Sequence, residues 1–291
     1  MTKILVLGKN GQLGNELQAL AKDYKQYEFI FTDKEELDIA DKNQVKTFIT
    51  SSSFDYIINC AAYTAVDKAE ADYAMAEQIN TKALEYIAQE ISGSKTTLIH
   101  VSTDYVFSGN GCKPYLETDK TDPQSVYGKS KLAGEEKAMK YHEGTFVIRT
   151  SWLYSVHGSN FLKTMLKLGA EKDKLNVVYD QVGAPTYAKD LAKAILTIIY
   201  KIETDNLFYQ PGIYHYANEG VTSWYDFALE IMQLSGLKCK VFPILSLDYP
   251  TPAKRPHFSV MHKKKIKDNF GLEIPHWKES LKLCLQELKT A

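Results

Sequence analysis

Lys3-Ile-Leu-Val-Leu-Gly8-Lys-Asn-Gly11-Gln-Leu-Gly14, continued by Asn15-Glu-Leu17-Gln-Ala-Leu20, is the stretch that decides the fold. Its opening run of Ile, Leu and Val reads as a buried parallel strand. Leu13, Leu17 and Leu20 then recur at helical spacing, so the chain passes from strand to helix through the glycine segment. Glycines three apart allow a tight turn, admit a pyrophosphate to the helix N-terminus and let the helix pack close to the strand. A bare G-x-x-G-x-x-G is a weak signal. Set between an N-terminal strand and a helix, it predicts a dinucleotide cradle built from Gly8, Asn10, Gly11, Gln12, Leu13 and Gly14.

The alternation continues outward from there. Tyr27–Thr32, Tyr56–Asn59, 97–102, 146–149 and 175–178 read as strands, separated by helical patterns as far as about Tyr200. That order predicts an α/β fold, a Rossmann-type doubly wound parallel sheet of six or more strands. Residues 1–150 with about 161–200 should form the dinucleotide-binding domain. About 151–160 and 201–291, including the proline-rich 248–256, should form a smaller C-terminal substrate-binding lobe.

Composition narrows the partners. Of 291 residues, 35 are basic and 36 acidic, and a net charge of -1 gives no handle on nucleic acid or a membrane surface. No apolar run is long enough to span a bilayer and no leader pattern opens the chain, so a cytoplasmic protein is expected. Cys60, Cys112, Cys239 and Cys284 are widely spaced and read as reduced thiols. The seven histidines lack ligand spacing, which argues against a catalytic metal.

Open α/β sheets bind ligands at the carboxyl ends of their strands, so the residues delivered there are the candidates. Asp33 follows the second strand at the distance suited to an adenosine ribose, which suggests NADH; adjacent Lys34 suits a 2′-phosphate, so NADPH stays open. Asp38 can lie near the adenine, or cap a helix as Asp41 can. Cys60-Ala61-Ala62-Tyr63-Thr64 places small residues where a flat cofactor would pass. A long helical pattern, 66–91, opens with Val66 and Asp67; Asp67 with Glu70 reads as a capping box or, with Val66, as a substrate contact. The fourth strand delivers Ser102, Thr103 and Asp104, and Thr186 reads as the cap of a later helix.

Tyr127 and Lys131, four apart behind Pro123, share one helix face. A phenol titrates near 10, and a nearby ammonium favours its ionised form, so the pair can exchange a proton with a substrate oxygen. Trp152, just past the fifth strand, is a core aromatic or a wall of the site. Arg255, among prolines, is a diphosphate clamp by its fork geometry or a solvent-facing arginine.

Together these pieces resemble the extended short-chain dehydrogenase/reductase superfamily. More closely, GKNGQLG at 8–14, NCAAYTAVDKAE at 59–70, VSTDYVFSG at 101–109, DPQSVYGKSKLAGE at 122–135, RTSWLY at 149–154, DQVGAPT at 180–186 and YPTPAKRP at 249–256 are similar in order and spacing to the dTDP-4-dehydrorhamnose reductase family. The resemblance implies NADPH- or NADH-dependent reduction of the C4 ketone of dTDP-4-dehydro-L-rhamnose, the last step in making dTDP-L-rhamnose. It implies Tyr127 as proton donor, Lys131 as the residue that holds the nicotinamide ribose and keeps the phenol acidic, and Thr103 as a partner of the reacting oxygen. It further implies coenzyme contacts reaching Ile39, Ala61, Ala62, Tyr63 and Thr64. Substrate contacts would come from Val66, Asp67, Thr103, Asp104, Tyr105 and Trp152, with Arg255 on the diphosphate.

Some members of that family dimerise around magnesium held by glutamates. Glu16 fits that pattern, but Lys189 places a cation where a second acid would stand, so no metal is expected, while a homodimer stays open. The alternatives are another nucleotide-sugar 4-ketoreductase or epimerase, and a non-catalytic dinucleotide-binding subunit like the regulatory subunit of methionine adenosyltransferase. A pure binding module has no chemical need for Thr103, Tyr127 and Lys131 together.

Overall fold

The computed structural model describes residues 1–290. Five parallel strands, β1 (Thr2–Leu7), β2 (Tyr27–Thr32), β3 (Tyr56–Asn59), β4 (Thr97–Thr103) and β5 (Thr145–Thr150), join a sixth, Gly212–His215. Their order is Gly212–His215, β5, β4, β3, β1, β2. The direction of winding reverses at β1, which opens a crevice beyond the carboxyl ends of β1 and β3.

Pleating explains the continuous apolar runs. Ile4 and Val6 pack on one face with α1 (Gln12–Ala21) and the Ala188–Thr204 helix, while Leu5 and Leu7 pack on the other with Ile87 and Ala138. Ile57 and Ile58, then Leu98 and Ile99, divide between the faces in the same way. A third core lies away from the sheet, around Leu162, Phe227, Ile231 and Leu281.

Two strands pair otherwise than their order along the chain predicts. The 175–178 strand does not enter the central sheet: as Lys174–Val178 it pairs in parallel with Lys240–Ile244. Leu175 and Val177 point into the third core while Lys174 and Asn176 face outward, the alternation of a strand buried on one face. The Phe161–Glu171 helix packs there too, through Leu162 and Met165. Conversely, Gly212–His215, expected in the substrate lobe, is the sheet's edge strand beside β5.

Two helical expectations are also corrected. The 66–91 pattern is broken into Val66–Ala69, Tyr73–Glu77, a π turn at Gln78–Lys82, and Ala83–Glu90. At the π turn, Asn80 accepts from Tyr63 N, and its Nδ2 donates to Tyr63 O and Ser130 Oγ. Asp67 caps nothing and is taken by residues far along the chain, described below. Thr186 lies in a short strand instead of capping the Ala188–Thr204 helix, with its hydroxyl accepting from Thr150 Oγ1.

Candidate active site

A cleft of about 780 Å³ lies along the carboxyl ends of β1, β3, β4 and β5. The glycine turn forms its floor. Gly8 is left-handed (φ +81°), and a Cβ there would stand 2.8 Å from Ala61 Cα, so only glycine lets the loop pass the end of β3. The amides of Gly8 and Lys9 both donate to Thr32 O, tying the turn to β2. α1 starts without a capping side chain and without an acid in its first turn, which leaves its first amides and positive dipole end for an anion. Gly14 does not line the cleft; a Cβ there would stand 2.2 Å from Gly8 O, so its role is close packing under the turn.

Asp33 lines the cleft with both oxygens engaged, accepting from Asn10 N at 3.0 Å and Lys34 N at 2.8 Å. Glu36 accepts from Asp33 N and pairs with Lys9, which fixes the loop after β2. Asp38 and Ile39 line the same end, while Asp41 caps the Lys42–Ser51 helix through Asn43 N and Gln44 N. Of the segment after β3, Cys60, Ala61, Ala62 and Thr64 reach the cleft with Val66, but Tyr63, whose backbone is bound to Asn80, does not.

β4 carries Thr103 and Asp104 into the middle of the cleft. Thr103 Oγ1 accepts from Tyr105 N at 3.2 Å and donates to Asp104 Oδ1 at 3.0 Å. Asp104 Oδ2 is buried without a partner, and burial pushes its carboxyl up to about 6. The Val126–Tyr141 helix, capped by Ser125 Oγ on Gly128 N, presents Tyr127 and Lys131 opposite. A Cβ at Gly128 would stand 2.3 Å from Tyr105 O, so this glycine lets the helix press onto the Thr103–Tyr105 turn. The rings of Tyr105 and Tyr127 meet edge to face at 5.5 Å.

Burial governs the charges here. Lys131 is 1% exposed and lowered to about 8 by burial, with Glu135, one turn along, opposing. Its Nζ donates to Val101 O at 2.7 Å and stands 3.1 Å from His100 Nε2. The Tyr127 phenol is pushed up by burial, with the Thr103 hydroxyl pulling it back. Nζ of Lys131 is thus held by Val101 O and His100, while the phenol's partner is Thr103.

Trp152 lines the cleft in a left-handed backbone (φ +49°), a strained choice for a bulky residue. Its indole stacks on Trp224 at 3.6 Å between centroids and 10° between planes. Beyond Trp224 lies a second cavity of about 1050 Å³, walled by Phe161, Val177, Phe242 and Tyr249, and Arg255 lines this one instead of the cleft. Arg255 Nη2 donates to Asp67 Oδ2 at 2.7 Å and Nη1 to Tyr105 Oη at 3.4 Å. Asp67 also accepts from Ala253 N and does not line the cleft. Ser102, delivered by the fourth strand as expected, lines the cleft, and so do Thr150, Ser151, Leu153, Gly158 and Ser159; Thr150 and Ser151 sit at the end of β5, the one signal that marks them.

The Glu16 carboxyl accepts from Ser155 Oγ at 2.6 Å, and Lys189 pairs with Glu287 nearby. No group of three metal-ligating side chains occurs among the described residues.

Known proteins share this chain's sequence pattern and fold. Residues 1–290 match the family described as RmlD substrate binding domain. The chain is 41% identical over 299 residues to the dTDP-4-dehydrorhamnose reductase of Escherichia coli K12, covering 99% of this chain and 98% of that one. It superposes with a TM-score of 0.94 on a dTDP-4-dehydrorhamnose reductase of Clostridium acetobutylicum, at 41% identity over 99% of this chain and 100% of that chain. With the enzyme from Bacillus anthracis, solved in complex with NADP, the TM-score is 0.93 at 36% identity, over 99% and 100% of the two chains. The match runs through both the glycine turn and the lobe that carries Arg255, and the chain belongs to the dTDP-4-dehydrorhamnose reductase family.

Proposed function

We propose that this protein reduces the C4 ketone of dTDP-4-dehydro-L-rhamnose to dTDP-L-rhamnose with NADPH or NADH. The observation that carries this reading is the convergence of Thr103, Tyr127 and Lys131 on one cleft, beside an unpartnered Asp104 oxygen that needs a hydroxyl donor such as a sugar supplies.

The glycine turn and open helix N-terminus fit a dinucleotide's pyrophosphate, and Asp33 faces the place of its adenosine ribose. The bound coenzyme supplies the hydride. Tyr127 donates a proton to the C4 oxygen as negative charge develops on it, and Thr103 hydrogen-bonds that oxygen or the phenol. Lys131 holds the nicotinamide ribose, and its charge stabilises the phenolate left behind. Asp104, Tyr105, Val66 and Trp152 hold the sugar. Asp33 accepts from a ribose hydroxyl and Lys34, exposed beside it, meets a 2′-phosphate, so both coenzymes are accommodated.

The substrate's diphosphate runs past the Trp152–Trp224 stack towards Arg255. Arg255 must then exchange Asp67 for phosphate oxygens. Arg255→Ala should raise KM for the sugar nucleotide about tenfold or more with kcat little changed, because this contact forms in ground and transition states alike. A fall in kcat at unaltered KM would place Arg255 elsewhere in the mechanism.

A cytoplasmic setting fits the four free cysteines; no helix among the described residues is long and apolar enough to cross a membrane. We also infer that a homodimer, if formed, needs no metal bridge, since Lys189 stands among the charges around Glu16. The deciding assay supplies the 4-keto sugar nucleotide with NADPH, then with NADH, and follows loss of the reduced nicotinamide. Absence of turnover with both coenzymes overturns the reductase reading and leaves the binding-module alternative.

A further inference from the structure

Behind Lys131, away from the cleft, three buried polar side chains form a line whose donors and acceptors do not match. Asn59, His100 and Lys131 are each 1% exposed. Asn59 Oδ1 accepts from Ala61 N at 3.1 Å, which orients the amide and turns Nδ2 towards His100 Nδ1 at 3.2 Å. Nδ2 only donates, so Nδ1 must accept. A neutral imidazole then carries its proton on Nε2, and Nε2 stands 3.1 Å from Lys131 Nζ. An ammonium has no lone pair to receive that proton, whereas an amine has one and still donates to Val101 O.

The opposite arrangement has its own conflict. If Nζ carries three protons, Nε2 must accept and the imidazole proton moves to Nδ1, where it faces an amide NH₂. Turning the Asn59 amide satisfies Nδ1–H but takes Oδ1 from the Ala61 N–H. One buried hydrogen bond is lost either way, and the two forms differ by one proton on Nζ, exchanged with solvent. Ala61 lines the coenzyme cleft, so that hydrogen bond belongs to the cleft wall.

We propose that Asn59 and His100 are positioning residues that decide whether Lys131 carries its proton, coupling that proton to the cleft wall at Ala61. This rests on the reading of Lys131 as the residue that holds the coenzyme's ribose. The other groups facing Nζ leave room for such control. Tyr127, on the same helix, and Cys60, beyond β3, are held protonated by burial, and His100 is kept uncharged by it. Glu135 on the same helix is the one anion nearby, and its charge is shared with Arg149 of β5.

The test needs no turnover. In protein without added coenzyme, nitrogen NMR of the His100 ring, identified by its loss in His100→Gln, should show a neutral imidazole protonated on Nε2 above about pH 8, where Lys131 is an amine, and on Nδ1 below it, where Lys131 is an ammonium. A ring that keeps one tautomer through that pH, or that is charged near neutral pH, overturns the proposal. NADPH affinity should decline as pH rises through about 8, where Lys131 loses its charge. Asn59→Asp supplies a carboxylate that accepts from both Ala61 N–H and Nδ1–H. The imidazole proton should then remain on Nδ1 just above about pH 8, where in the wild type it sits on Nε2, and the decline in affinity should shift upward by about one pH unit or more. Added negative charge alone would shift affinity and leave the imidazole proton in place, so an unmoved proton also overturns the coupling. If Asn59→Asp does not fold, the wild-type spectrum still decides. Turnover with the 4-keto sugar is read separately: the expected spectra without turnover sink the reductase reading and leave the proton coupling standing.

Discussion

Tyr127→Phe should bind NADPH as the wild type does and lose about 10²–10⁴-fold in kcat, the range expected when a positioned proton donor is removed. The substitution keeps the ring, and with it the edge-to-face contact on Tyr105 and the helix packing enforced at Gly128. Lys131 keeps Val101 O and His100. Coenzyme affinity therefore has no reason to change, while the phenolic proton is gone. Retained turnover would send the search to Asp104, a carboxyl in the same cleft. Its carboxyl, pushed up to about 6 and joined to Thr103 Oγ1, holds a proton below that pH and loses it above. A Tyr127→Phe enzyme running on Asp104 would be active only on the acid side of pH 6. Fall-off throughout the pH range identifies Tyr127 as the donor.

What could be read from the chain followed the range of the interactions. The glycine turn, the strands Tyr27–Thr32 and Tyr56–Asn59 and the helix presenting Tyr127 and Lys131 depend on neighbours within a few residues, and the structure places them as expected. Lys174–Val178 lies outside the expected sheet because its partner, Lys240–Ile244, comes after the whole Ala188–Thr204 helix and the edge strand; the alternation of Leu175 and Val177 with Lys174 and Asn176 is the sequence signal of a strand buried on one face. The π turn at Gln78–Lys82 goes with Asn80 reaching Tyr63 and Ser130, contacts that no helical period encodes. Arg255, a diphosphate clamp or a solvent-facing arginine on its local sequence, is paired with Asp67, 188 positions away, a contact that no local pattern encodes. Asn59 closes β3 and His100 lies within β4, and strand position alone does not encode that their side chains meet each other and Lys131.

Glu135→Ala should destabilise the fold by about 3–5 kcal/mol, the largest loss expected from one substitution here, because it leaves a buried arginine unpaired. Arg149 and Glu135 are both 2% exposed in their side chains. The guanidinium donates from Nε to both carboxylate oxygens, at 3.0 and 3.1 Å, and from Nη2 to Oε2 at 2.6 Å; Ser102 Oγ donates to Oε1. Its third nitrogen, Nη1, has no partner, and the guanidinium lies 5.1 Å from the Phe107 ring centroid. Glu135 thus joins the helix of Tyr127 and Lys131 to β4 at Ser102, next to Thr103, and to β5. Removing it exposes the arginine's full desolvation cost and frees the helix from the strand that carries Thr103. Denaturant unfolding checks the first effect. The double variant Glu135→Leu with Arg149→Met removes both charges and should recover most of that stability, since the penalty belongs to the unpaired charge. If the double variant is as unstable as Glu135→Ala alone, the loss comes from packing. Turnover then separates scaffold from chemistry: the double variant should fold but work poorly, because Lys131 has lost the anion that helps hold its proton, and its activity should return only at a lower pH than the wild type needs.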